Sequence, residues 1–139
     1  MRWAGRVLSA LFVLFMAFDV AIKLIRLPVV AQTLQALGWP GEAGFAIGVI
    51  EAICVLLHVF PWTALLGAIL MTAVLGGAVA AHGRIASPLF THLLFDAYLG
   101  LAMWGGLWLR DGALRAVFPW RRDWHRAPSR GVRDVDDPL

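Results

Sequence analysis

The sequence predicts an all-α protein: a bundle of four transmembrane helices with a short interfacial helix between helices 1 and 2, both termini cytoplasmic. Three observations carry this expectation. Hydrophobic residues make up 60% of the 139-residue chain, 14 glycines add to the apolar share, and only 15% of residues are charged. Soluble domains hold about 45–50% apolar residues, and a core of this size cannot hide the excess. Four apolar segments meet the roughly 17–25 residues that a helix needs to cross a bilayer. Basic residues gather at the two ends of the chain, as the positive-inside rule requires. The same composition excludes a disordered chain, a secreted disulfide scaffold and a soluble enzyme.

The first span covers residues 7–25, with Arg2 and Arg6 before it and Arg26 after it. Its length, the Asp19 and Lys23 inside it and the lack of an A-x-A site argue against a cleaved signal peptide. Residues 27–43 then read as a short amphipathic helix on the membrane surface. Pro28 can start it, Val30, Leu34 and Leu37 share a face, and Gly38 and Pro40 stop it. The second span, 44–60, and the third, 62–82, meet at Phe60-Pro61-Trp62 and form a tight antiparallel hairpin. The fourth, 89–109, follows Pro88 and closes at Arg110-Asp111. A membrane domain over residues 1–118 is followed by a basic, partly disordered cytoplasmic tail over 119–139.

Seven of the 12 basic residues (Arg110, Arg115, Arg121, Arg122, Arg126, Arg130, Arg133) follow the last apolar run. Added to Arg2 and Arg6, they outweigh Arg26 and Arg84 in the outer loops, which sets the orientation. The pI near 10 therefore reflects topology, and no nucleic-acid partner is expected. The tail alternates arginines with Phe118, Trp120 and Trp124, a composition that favours anionic lipid. Small residues recur at helical spacing: Gly44, Gly48 and Ala52; Thr72, Gly76 and Ala80 beside Ala73, Gly77 and Ala81; Ala102 and Gly106. These faces are expected to pack helices within the chain or, in the sharper reading, to form a homodimer.

Charge inside a bilayer is costly and marks functional candidates. At 1.5 Å per residue, Asp19, Glu51 and Asp96 each fall about 9–10 Å from the outer ends of their spans. Three carboxyl groups on three helices thus share one level. Lys23 and His92 lie one turn further out, each four residues from a carboxylate on its own helix, with His82 and Arg84 at the outer mouth. Three acids against Lys23 leave a surplus near −2. The surplus must be met by a proton, by a cationic His92, or by Arg84 or Arg26 folding inward. The plainer alternatives are an Asp19–Lys23 structural pair and an Asp96–His92 hydrogen bond. His58 reads as an interfacial residue near the inner end of its span, and Cys54 as a packed thiol. No compact ligand motif calls for a metal, and the histidines are too shallow for haem.

The run 61–72 (PWTALLGAILMT), the run 75–84 (LGGAVAAHGR) and the run 88–92 (PLFTH) resemble the DoxX-like membrane proteins. The opening GRVLS at 5–9, the Asp19…Lys23 pair and WLRD at 108–111 fit the same family style, so the resemblance covers about residues 5–118. It implies a four-helix bundle in the bacterial inner membrane and carries over Glu51, His82, Arg84, Thr91 and His92. It also implies an accessory subunit linked to quinone reduction and to membrane redox partners, not an enzyme on its own. In that reading His82, Arg84 or His92 bonds a quinone carbonyl and Glu51 handles protons. A small proton-coupled transporter and a non-catalytic scaffold are the alternatives.

Overall fold

Apolar runs bounded by proline and glycine become helices in the computed structural model, which describes residues 2–85 and 94–117. The order is α1 (Arg2–Leu24), α2 (Pro28–Ala36), α3 (Ala43–Val59), α4 (Ala64–Arg84), α5 (Leu94–Arg110) and α6 (Gly112–Val117). Among the described residues all regular elements are helical. The residues before α5, which include Thr91 and His92, and the expected tail over 119–139 lie outside them.

Each boundary has a local cause. Arg26 ends α1 with a positive φ of 59°, and its guanidinium stacks 4.7 Å from the centre of the Phe45 ring. Pro28 at the start of α2 lacks only an N–H that has no intrahelical partner there. Gly38 stops α2 at φ 79°, while Trp39 N–H donates back to the Leu34 carbonyl. Pro61 forces Phe60 into an extended conformation (ψ 127°) and ends α3. Thr63 then donates its hydroxyl to the Leu57 carbonyl at 2.8 Å, closing the turn into α4. The Asp111 carboxylate accepts from Ala113 and Leu114 N–H at 2.9 and 3.2 Å and caps α6.

The four long helices close a ring in which α1 and α4 each pack between α3 and α5. Close approach relies on glycine. An added Cβ at Gly67 would lie 2.4 Å from the His58 backbone nitrogen, and one at Gly106 would lie 2.6 Å from Ser9 Oγ. Tight van der Waals packing of this kind is what joins helices in a medium as apolar as their side chains. The small face of the third span behaves differently from expectation. Thr72, Ala73, Gly76, Gly77 and Ala80 are exposed, and a Cβ at Gly76 or Gly77 would meet nothing within 4 Å. Apart from the Thr72 hydroxyl, which accepts from Trp104 Nε1 at 2.9 Å, that face stays open, because α4 turns Gly67, Ala68, Met71 and Leu75 inward instead.

The solid core lies towards the end of the bundle where α1 begins. Phe12, Met16, Met71, Met103, Leu107 and His58 are its largest fully buried side chains. His58 is thus a core residue, not an interfacial one. Its imidazole meets the edge of Phe12 with ring centres 5.4 Å apart, and Arg110 donates to its backbone carbonyl at 2.9 Å. Towards the other end the helices enclose a cavity.

Candidate functional site

The site starts from the spacing of two residues on α1. Asp19 and Lys23 are four apart, so one helical face presents both. Lys23 Nζ donates to Asp19 Oδ2 at 2.6 Å. It also reaches across to α3, where it contacts Glu51 Oε1 and Oε2, both at 2.7 Å. Gly48, one turn before Glu51, makes this reach possible: a Cβ there would sit 2.8 Å from Lys23 Cβ. The pair expected within one helix is therefore a three-residue cluster joining two helices. Its side chains are poorly exposed, at 26% for Asp19, 18% for Lys23 and 6% for Glu51.

An ammonium group has three N–H donors and no acceptor. All three of the short contacts of Lys23 go to carboxylate oxygens, so its donors are committed. The two acids retain unused lone pairs. The cluster carries one positive and two negative formal charges, and it presents acceptors to its surroundings.

Those surroundings are a cavity of about 620 Å³. Asp19, Lys23 and Glu51 line it together with His82 from α4 and Asp96 from α5. The three acids that the sequence places at one depth thus face one space. The rest of the wall is apolar or aromatic. Phe15 and Phe95 meet edge to face across it, with centres 5.1 Å apart. Trp39 and the α2 side chains Val30, Thr33 and Leu34 cover one side. Ala73, Gly77, Ala78 and Ala81 give α4 a small-residue wall that leaves the space open.

Arg84 is placed elsewhere. Its Nη2 donates to the Leu37 carbonyl at 2.6 Å and lies 2.7 Å from where a Gly38 Cβ would be. It ties the end of α4 to the end of α2. Neither Arg84 nor Arg26, stacked on Phe45, folds onto the acids. Thr91 and His92 cannot be placed against the cavity, since they lie outside the described residues. Among those residues no three His, Cys, Asp or Glu side chains form a metal-binding group.

Sequence reasoning missed three contributors. The Phe15–Phe95 pair reads in sequence as ordinary apolar filling. Trp39, just beyond α2, lines the cavity, and its residue type alone does not assign it there. The Leu37 carbonyl is a backbone group, which residue types alone do not reveal.

A family model for the DoxX-like family matches residues 7–106 of the chain, which include most of α1, all of α2 to α4 and most of α5. The chain belongs to the DoxX-like family. No curated protein and no solved structure matches it. Within this DoxX-like chain, Trp3–Leu24 and Ala64–Arg84 are each long and apolar enough to cross a membrane, and Ala43–Val59 is a shorter apolar helix. Family and composition together make this a membrane protein. The matched region holds the acid–lysine cluster, His82, Arg84 and Asp96.

Proposed function

We propose that this DoxX-like chain crosses the bacterial inner membrane four times, with α1, α3, α4 and α5 as the spans. In this reading both termini lie in the cytoplasm, and the cavity opens in the outer half of the bilayer. Its role is to hold a lipid-soluble small molecule of about quinone size, as an accessory to a membrane redox system and not as an enzyme alone. The observation that carries the proposal is the cavity itself. Its volume lies within the roughly 300–1,000 Å³ usual for small-molecule sites, and a few polar groups converge in an otherwise apolar wall.

Native mass spectrometry of protein extracted under mild conditions tests the proposal. The expected result is a bound lipid-soluble species that is not a bulk phospholipid. Protein that carries no such species, and takes up none on titration with quinones or other apolar ring compounds, contradicts it.

A second reading, proton-coupled transport, is favoured by one observation. His58 is fully buried and, among the described residues, neither ring nitrogen has a hydrogen-bond partner; the buried Ser9 hydroxyl shares that condition. Such groups call for water, and water there would extend a polar path below Glu51. Proton flux in liposomes that is unchanged by Glu51→Gln rules this reading out.

A further inference from the structure

We infer that the hollow where α1 gives way to α2 and α3 begins seats the head group of a zwitterionic phospholipid, one that joins a phosphate to a primary ammonium. The inference does not depend on what the acid-lined cavity holds.

The hollow measures about 720 Å³ and takes its walls from the end of α1, from α2 and from the start of α3. Because α1 is long and apolar enough to cross a membrane, the residues that follow it lie at head-group level. Four of the described lining side chains are polar or charged: Lys23, Arg26, Gln35 and Glu42. The three donors of Lys23 go to Asp19 and Glu51. The Gln35 amide is neutral. Arg26 and Glu42 are then the two charges that face the hollow without an ionic partner among the described residues.

Arg26 occupies a place where glycine is usual. Its N–H donates to the Lys23 carbonyl and the Leu27 N–H to the Ile22 carbonyl, both at 3.1 Å, which makes it the left-handed residue of a Schellman motif, at φ 59°. Its guanidinium lies 4.7 Å from the centre of the Phe45 ring and makes no hydrogen bond among the described residues. A stacked guanidinium keeps its N–H edge open, and that edge matches two phosphate oxygens at once.

Glu42 directly precedes α3 but makes no side-chain cap bond there. Its carboxylate only accepts. The hollow thus offers a donor fork for an anion and an acceptor for an N–H-bearing cation. A phosphate without a cation would leave Glu42 unanswered. A trimethylammonium has no N–H to give, and Phe45, the one aromatic ring among the described lining residues, is already covered by Arg26. A phosphate linked to a primary ammonium answers both charges, while Leu27, Val30 and Ala46 provide apolar wall for the glycerol and the first acyl carbons.

Native mass spectrometry of the purified full-length protein, titrated in detergent with lipids of identical dioleoyl chains, tests the inference. Phosphatidylethanolamine is expected to bind about tenfold more tightly than phosphatidylcholine, the worth of one charge-assisted hydrogen bond. Arg26→Gly relieves the backbone at the position glycine prefers, so it should melt no lower than the wild type and still lose about tenfold in phosphatidylethanolamine affinity. Glu42→Gln should abolish the preference over phosphatidylglycerol. Equal binding of the ethanolamine and choline lipids overturns the inference, as does wild-type phosphatidylethanolamine affinity in stably folded Arg26→Gly. Displacement of the lipid by an equimolar amount of soluble phosphoethanolamine overturns a phospholipid as the occupant. The comparison of lipids on the unmodified protein needs no variant to fold.

Discussion

At Lys23 one ammonium group meets three carboxylate oxygens from two helices. Its removal strands two acids, whereas removing Glu51 strands a lysine that still has Asp19. Breaking one partner of a buried pair costs about 3–5 kcal/mol. Lys23→Met is therefore expected to lower stability by about 3 kcal/mol, read from denaturant or thermal unfolding in detergent. The double variant Lys23→Met/Glu51→Leu should lose less than the sum of the two single changes, since the partners fail together. Additivity within about 0.5 kcal/mol would show that they do not interact. Glycine gives a second contrast. Gly67→Ala drives a methyl into the His58 backbone nitrogen and should cost about 1–3 kcal/mol. Gly76→Ala enters open space and should be neutral, or stabilising by up to about 1 kcal/mol. Melting curves of the two variants in the same detergent check the pair, and the account fails here if Gly76→Ala is the more damaging.

Among the elements, α2 behaves as a cover held at its ends. Arg26 at positive φ precedes it, and Arg84 grips the Leu37 carbonyl beyond its last turn. Arg84→Ala is expected to raise hydrogen exchange at the Gly38 and Trp39 amides at least tenfold, with little change in α3. Unchanged exchange in that segment would mean that the arginine contact does not hold the helix. Much of this element was legible in advance: Pro28, Gly38 and Pro40 mark its limits by backbone chemistry that acts locally. The apolar spacing likewise predicts four long helices; α3 and α4 fall within about two residues of the expected spans, while α1 ends within one residue of its span but begins five residues earlier. The packing faces were less legible. Both Gly67 and Gly76 sit among small residues at helical spacing, and sequence does not say which face turns inward. Likewise, the depth of Glu51 could be reckoned from rise per residue, but its meeting with Lys23 depends on the rotation of α3 against α1. The contacts of Arg84 and His58 were illegible for the same reason, since their partners are a backbone carbonyl and a phenyl ring 47 and 46 positions away in the chain.

Over the whole molecule, packing is solid at one end and open at the other. Phe12, Met103, Leu107 and His58 fill the end where α1 begins, and the acid-lined cavity occupies the other. Gly5 lies against Leu109, so the start of α1 and the end of α5 sit at one side of the bundle. Reporter fusions at either terminus are expected to read cytoplasmic, and a periplasmic signal from one of them breaks the four-span account. The central claim is that the cavity is a ligand site, and Gly77 offers the most direct access to it. This glycine lines the cavity, and an added Cβ meets no atom within 4 Å, so a larger side chain can occupy the space without disturbing the bundle. Native mass spectra of wild type and Gly77→Phe, compared at equal melting temperature, decide the matter. The account predicts a lipid-soluble ligand on the wild type that is lost from the variant; a ligand retained in full by the stably folded variant would contradict it.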